Sequence, residues 1–434
     1  MSSTTLATDQ PRPSALGPML VIGLLFFIFG FVTWLNGPLI AFVKLAFQVE
    51  DVYAFLVPFA FYISYFVFSL PASMVLRRTG MKKGMALGLF VMAIGALAFG
   101  QFATMRIFSG ALVGLFVIGA GLSLLQTASN PYISILGPIE SAAQRIAVMG
   151  ICNKVAGILA PVVIGSLVLA GIGDIDAQVH AAATPQAREA LLDAFAAKIH
   201  APYLGMAVLL ALLAVWIVRS SLPEIRPARA NSEQAEDAGS SILGFPHLWL
   251  GVLCLFVYVG VEVMAGDAIG TYGAGFHLPL DQTKFFTAFT LGGMLLGYVA
   301  GLVLIPRVIS QQRYLAVSAV LGVLFSVCAY LSSGYVSVGF VAALGFANAM
   351  MWPAIFPLAI NRLGRHTEAG SALLIMGIAG GAVVPQLFAH LKTHYDFQLV
   401  FAALMVPCYL YILFYGLRGH RVGLRDDDDG ARPQ

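Results

Sequence analysis

Three ionisable side chains stand inside long apolar stretches of this chain: Lys154 within AVMGICNKVAGILAP, and Glu262 and Asp267 within VLCLFVYVGVEVMAGDAIG. The other 19 of the 21 acidic residues fall in polar segments or at the ends of apolar ones. A charge set in hydrocarbon costs roughly 3 kcal/mol or more, so such groups need a water-filled cavity, a mutual pair or neutralisation, and they commonly mark ion and substrate paths. The competing role is a purely structural salt bridge that locks helices together. Glu262 and Asp267 are five positions apart, about 140° around a helix, which puts them on different faces. Asp267 is expected nearer the mouth on the outer side.

Amides and aromatic rings form a second set. Gln126 and Asn130 are four apart and so share a helix face. Asn348 and Trp352 repeat that spacing, as do Tyr258 and Glu262. Asn36 follows Trp34, and Asn153 precedes Lys154. Planar amides and carboxylates accept from and donate to ring hydroxyls, while an aromatic ring covers a sugar's apolar C–H face. Singly, each amide reads as a helix–helix hydrogen bond. Their recurrence in both halves of the chain argues for a polar cavity that takes a sugar.

The elements that must hold these residues follow from composition. Of 434 residues, 59% are hydrophobic and 10% charged, with mean hydropathy +0.87; soluble domains carry about 25% charged residues. That excludes soluble, disordered, collagen-like, coiled-coil and disulfide-scaffold classes. Crossing a bilayer takes about 20 apolar residues, and twelve stretches qualify: 18–45, 53–76, 82–104, 106–138, 141–171, 199–219, 245–275, 281–304, 312–331, 334–363, 367–394 and 397–417. Only helices and closed barrels span membranes, and the alternating ten-residue strands of a barrel are missing. The four cysteines (Cys152, Cys254, Cys328, Cys408) lie far apart in apolar stretches and read as small hydrophobes, with no metal or disulfide framework implied. Residues 1–12 are polar and the first apolar run is span-length, so no cleavable signal peptide is expected.

Charge sets orientation. Connections after even-numbered spans, together with the tails, hold seventeen basic residues, and the opposite side holds six. Positive charge favours the cytoplasm, so both termini are expected there, in a bacterial-type inner membrane. The polar stretch 220–244 reads as a cytoplasmic linker between bundles 18–219 and 245–417, with tails 1–17 and 418–434. Outside, Gly173 to His200 includes an amphipathic stretch, Ala187–Ile199, expected as a surface cover. The halves repeat weakly: Gly119-x11-Pro131 matches Gly345-x11-Pro357, and Met149-Gly150-Ile151 matches Met376-Gly377-Ile378. The expected fold is all-α: twelve transmembrane helices in two pseudo-symmetric six-helix bundles, with a site between them near the midplane. Glycines such as Gly119, Gly293 and Gly297 suit close helix approach, and Pro131, Pro161, Pro353, Pro357 and Pro385 suit bending.

No GxxxxGK[ST], HExxH, GxSxG or metal-spaced histidine cluster occurs, which argues against ATP-driven pumping, enzymatic chemistry and bound metal. Basic residues line a rim, with no interleaved aromatic groove, so nucleic acid is not an expected partner.

Several motifs carry a family resemblance: WLNGPLI at 34–40, LQTASNPY at 125–132, LGP at 136–138, YVGVEV at 258–263, IFPLAI at 355–360 and GIAGGAVVP at 377–385. Together they resemble the fucose–galactose–glucose:cation symporter family of the major facilitator superfamily, over nearly all twelve spans. The resemblance implies a cation-coupled monosaccharide importer that rocks two bundles about a central site and works as a monomer without a prosthetic cofactor. It implies Asn36, Gln126, Asn130 and Asn153 on one side of the sugar, facing Glu262, Asn348 and Trp352. Glu262, Asp267 and Lys154 are the expected coupling or gating residues. Glu262→Gln is expected to cut concentrative uptake more than exchange, with equal loss of both marking a role in binding or folding instead. There are departures. The family's proton-coupled fucose carriers are acidic at the positions matching Gly37 and Gln126, and Lys154 replaces a small polar residue. The loop between spans 2 and 3 keeps Arg78, Gly80 and Lys82 but has Arg77 where the superfamily has aspartate. Protons, sodium or no coupling all remain open, as do N-acetylglucosamine in place of a simple hexose and a non-transporting sugar sensor.

Overall fold

The computed structural model describes residues 16–135, 142–220, 222–224, 241–305 and 308–424. Most of the expected tails and linker, the LGP motif, and Arg12, Arg226, Arg229, Arg307, Arg425 and Arg432 lie outside them. Among the described residues, twelve helices are long and apolar enough to cross a membrane: α1 (Gly17–Phe47), α2 (Asp51–Thr79), α3 (Met81–Thr104), α4 (Phe108–Ile135), α5 (Ala142–Leu167), α6 (His200–Arg219), α7 (Pro246–Gly266), α8 (Leu280–Leu304), α9 (Gln311–Leu331), α10 (Gly334–Ala359), α11 (Ala369–Leu391) and α12 (Phe397–Leu417). Leu212, Leu296 and Val303 turn outward with their side chains exposed, the surface that lipid covers. The start of α1 and the end of α12 share one side, the terminal face; the opposite side is the far face.

Helix packing follows the repeat. In the first half α4 packs on α2 and α3, and α1 on α5; in the second α10 packs on α8 and α9, and α7 on α11. The paired glycines show why. A Cβ on Gly119 would lie 3.2 Å from the Phe61 carbonyl carbon of α2, and one on Gly345 would lie 2.9 Å from the Thr290 carbonyl carbon of α8. Each glycine lets equivalent backbones touch. Between halves, α5 meets α8 and α2 meets α11.

Several spans differ from the expected continuous runs. The stretch 245–275 breaks at Asp267 and Ala268 and resumes as Ile269–Ala274. The cause lies on α8, where Thr290 Oγ1 donates to the Ala265 carbonyl at 2.7 Å and Thr287 Oγ1 to the Gly266 carbonyl at 2.8 Å. Those oxygens would otherwise accept from residues 269 and 270, so the ladder is diverted. α1 breaks at Trp34 and Leu35 because Pro38 has no N–H to offer the Trp34 carbonyl. α10 is interrupted after Asn348; Pro353 and Pro357 remove two further donors, and the Gln311 amide takes the Pro353 and Ala354 carbonyls at 3.1 and 2.8 Å. The stretch 141–171 ends earlier, at Leu167, ahead of Gly171 at φ +66°.

Beyond the far-face end of α5 the chain forms Ile172–Ala181, which was not expected, and Pro185–Ala197, capped by the Thr184 hydroxyl accepting from Ala187 N–H. The second helix buries Leu192 and Phe195. Phe195 meets Phe42 of α1 at 5.4 Å between ring centres, and Arg106 bonds to Glu189 and Asp193. It covers the ends of α1 and α3, as an amphipathic lid on the surface should.

Candidate functional site

A cavity with about 790 Å³ of empty space, its mouth included, lies between the two halves. From the first half it is lined by Trp34, Tyr62, Tyr65, Gln126, Asn130, Gly150, Asn153 and Lys154, and from the second by Tyr258, Glu262, Tyr298 and Trp352. The lining runs towards the terminal face through Asn130, Ile146 and Pro353. Contacts between halves close the far face. Asp51 takes Lys44 at 2.6 Å and also Lys392 from the other half. Gln386 Nε2 donates to the Val52 carbonyl at 3.0 Å, Lys284 Nζ to the Leu169 carbonyl at 2.8 Å, and the Gly173 N–H to Asp281 at 3.2 Å.

The centre of the cavity is an ion pair between halves. Lys154 Nζ of α5 donates to Glu262 Oε1 of α7 at 2.9 Å, with the side chains 7% and 12% exposed. The ammonium also sits 4.5 Å from the centre of the Trp34 ring, a second source of stabilisation for a desolvated cation. Trp34 Nε1 in turn donates to Asn153 Oδ1 at 3.4 Å. Across the cavity Gln126 Nε2 donates to the Tyr65 hydroxyl at 3.0 Å, which leaves the amide oxygen for another donor. Trp352 and Phe356 stack at 5.9 Å with a 21° interplanar angle. The result is a wall of amide, carboxylate and phenol groups beside flat aromatic faces.

The structure thus brings together Gln126, Asn130, Asn153, Lys154, Glu262 and Trp352. Asn36, Asn348 and Asp267 do not line the cavity. Asn36 is buried and gives its Nδ2 to the Thr33 carbonyl at 3.0 Å, bridging the break in α1. Asn348 is buried at the break in α10, where its Oδ1 accepts from the Tyr409 hydroxyl at 2.9 Å. Asp267 lies at the break after α7 and accepts from the Tyr62 hydroxyl at 3.3 Å; it sits beneath the far-face seal and not at a mouth. Tyr62, Tyr65 and Tyr298 join the lining unannounced. The one signal for the first two was their i,i+3 spacing on one helix. Glu224 was also missed: it accepts from the Lys82 N–H at 3.1 Å, at the start of α3, so a carboxylate from beyond α6 sits where the loop itself has none.

The match to known proteins follows this geometry. The model of the Major Facilitator Superfamily matches residues 22–385. The glucose/galactose transporter of Brucella abortus is 33% identical over 406 residues, covering 92% of this chain and 93% of that one. The chain belongs to the major facilitator superfamily, within its fucose–galactose–glucose:cation symporter family. The L-fucose-proton symporter of Escherichia coli is 27% identical, over 88% of this chain and 91% of that protein. Among solved structures, the superfamily transporter FucP in the outward conformation superposes with TM-score 0.74 at 24% identity, over 95% of this chain and 100% of that one. That likeness is one of fold: twelve spanning helices arranged as a major facilitator carrier.

Proposed function

We propose that this carrier imports a neutral hexose of the glucose/galactose type across a bacterial plasma membrane by alternating access. The cavity carries the reading: amides and aromatic rings from both halves meet there, while the far face is shut by pairs between halves. The names of the Brucella and Escherichia relatives support a monosaccharide as cargo. The basic residues on the terminal side support a cytoplasmic terminal face. In that orientation the cavity opens inward, and both tails and the linker are cytoplasmic. Gln126, Asn130 and Asn153 would hydrogen-bond ring hydroxyls, Trp352 would cover the C–H face, and Glu262, held by Lys154, would accept from a hydroxyl. One chain contains every residue of this site, so a monomer suffices. Neither nucleic acid nor a prosthetic group enters the scheme.

N-acetylglucosamine would need space for an acetamide. The two glycines that might supply it are filled: a Cβ on Gly150 would lie 2.5 Å from the Tyr298 ring, and one on Gly37 would lie 2.5 Å from Thr287 Oγ1. Counterflow of labelled glucose in proteoliposomes tests the proposal. Galactose is expected to compete and N-acetylglucosamine to compete poorly. Sugar binding without exchange would instead mark a sensor.

A further inference from the structure

Of the two carboxylates deep in the membrane, Glu262 is paired and Asp267 is not. Asp267 is 1% exposed. Its Oδ2 accepts from the Tyr62 hydroxyl, the Gly37 backbone N–H also interacts with the carboxylate, and Oδ1 closes no hydrogen bond of ordinary geometry. Among the described residues, the neighbouring elements bring it no free cation. α2 presents Tyr62. α7 presents Glu262, and α5 presents Lys154, whose ammonium is committed to Glu262. α1 presents Asn36 and Gly37, and α8 presents Thr287, none of which titrates. An ionised carboxylate here would be buried without a counterion, a state that proteins avoid by protonation.

The position also ties Asp267 to the opening of the carrier. Gly37 and Tyr62 come from the first half, and Asp267 and Thr287 from the second. A Cβ on Gly37 would lie 3.3 Å from both the Cα and Oδ1 of Asp267. The carboxyl group therefore fills the space beside the bare backbone of α1 and lies in the seam between halves. Parting the far face admits water to it, and closing the far face buries it. Tyr62 both touches Asp267 and lines the cavity, so one side chain links this acid to the cavity.

We propose that Asp267 is the proton-binding site of the transport cycle, loaded from the far side when the seam is open and unloaded through Tyr62 into the cavity. The Asp267 carboxylate takes a proton from water on the far side, and the neutral acid lets the halves close over it. Asp267 then gives its proton to the Tyr62 oxygen while the Tyr62 hydroxyl gives its own to a cavity water. That leaves carboxylate, intact tyrosine and hydronium, with no further reactant. The new charge in the seam favours reopening.

This inference rests on the transport reading, and the test separates the two. The full chain is placed in proteoliposomes holding a pH-sensitive dye, and glucose is added outside. Wild type is expected to acidify the lumen as sugar enters, and a gradient of about one pH unit, worth about 1.4 kcal/mol, supports about tenfold accumulation per proton. Asp267→Asn is expected to lose both acidification and accumulation while keeping counterflow. Tyr62→Phe is expected to slow acid-driven uptake more than counterflow. Acidification that survives in Asp267→Asn overturns the proposal, as does wild-type counterflow with no proton movement. The second result needs no variant to fold. Absence of any wild-type counterflow would overturn the transport reading instead.

Discussion

Glu262 and Asp267 leave the chain about 1.4 helical turns apart, yet their surroundings are opposite. Glu262 faces the cavity, next to water, and has a lysine at 2.9 Å and a tryptophan ring behind that lysine. Asp267 faces the seam, is 1% exposed, and has a phenol at 3.3 Å and the Gly37 backbone N–H beside it. The first arrangement pairs two opposite groups across the halves, and the pair presents a constant wall to whatever enters. The second arrangement leaves the charge free to change with solvent access. Under the proposals above, these two ways of tolerating an acid in a membrane would serve two tasks, recognition at Glu262 and coupling at Asp267. A lysine already fills the place at Glu262 that a coupling cation would take, which argues against Glu262 as the coupling site.

Removing the lysine should break this contrast most severely. Lys154→Met leaves Glu262 unpaired at the cavity wall, a change that in fully buried pairs costs about 3–5 kcal/mol. Thermal unfolding in detergent should show a large loss that Lys154→Met combined with Glu262→Gln largely recovers. Additive losses would mean that the two residues are not energetically coupled and that the constant wall does not exist.

Glu262→Gln should have the next largest effect. A hydrogen bond to a charged acceptor contributes about 1.5–3 kcal/mol, so the half-saturating sugar concentration in counterflow should rise roughly tenfold to a hundredfold. Accumulation and exchange should fall together if the residue binds sugar as proposed. If accumulation falls and exchange survives, Glu262 is the coupling group and the roles of the two acids are reversed.

Part of this arrangement could be read along the chain. Apolar length marks the spans, and i,i+4 spacing puts Gln126 and Asn130 on the face that lines the cavity. Lys154 and Glu262 are charges in apolar runs, for which a mutual pair is one of few affordable states. The orientations of Asn36 and Asn348 could not be read. Both stand at helix breaks, where an amide finds a local carbonyl or a neighbouring phenol before it finds a cavity. The break at Asp267 was hidden for a related reason. Its cause is a pair of threonine hydroxyls on another helix, more than twenty residues later for each bond, and no window along α7 contains them. Glu224 is similar: the loop between α2 and α3 lacks an acid, and the substitute arrives from 142 residues further on.

Those threonines give the smallest and sharpest test of the contrast. Thr287→Val removes the hydroxyl that holds the Gly266 carbonyl, at a cost of about 1 kcal/mol, and it keeps the side chain's shape. The hydroxyl lies beside Gly37 and one residue from Asp267 in the diverted ladder, and neither Thr287, Gly37 nor Gly266 lines the cavity. The geometry of the seam should therefore change while that of the cavity does not. The pH dependence of uptake should shift, the half-saturating sugar concentration should hold, and Thr287→Ser should restore the original profile. A change in sugar affinity with no change in pH profile would show that the seam and the cavity are one site, and that the two carboxylates do not divide the work.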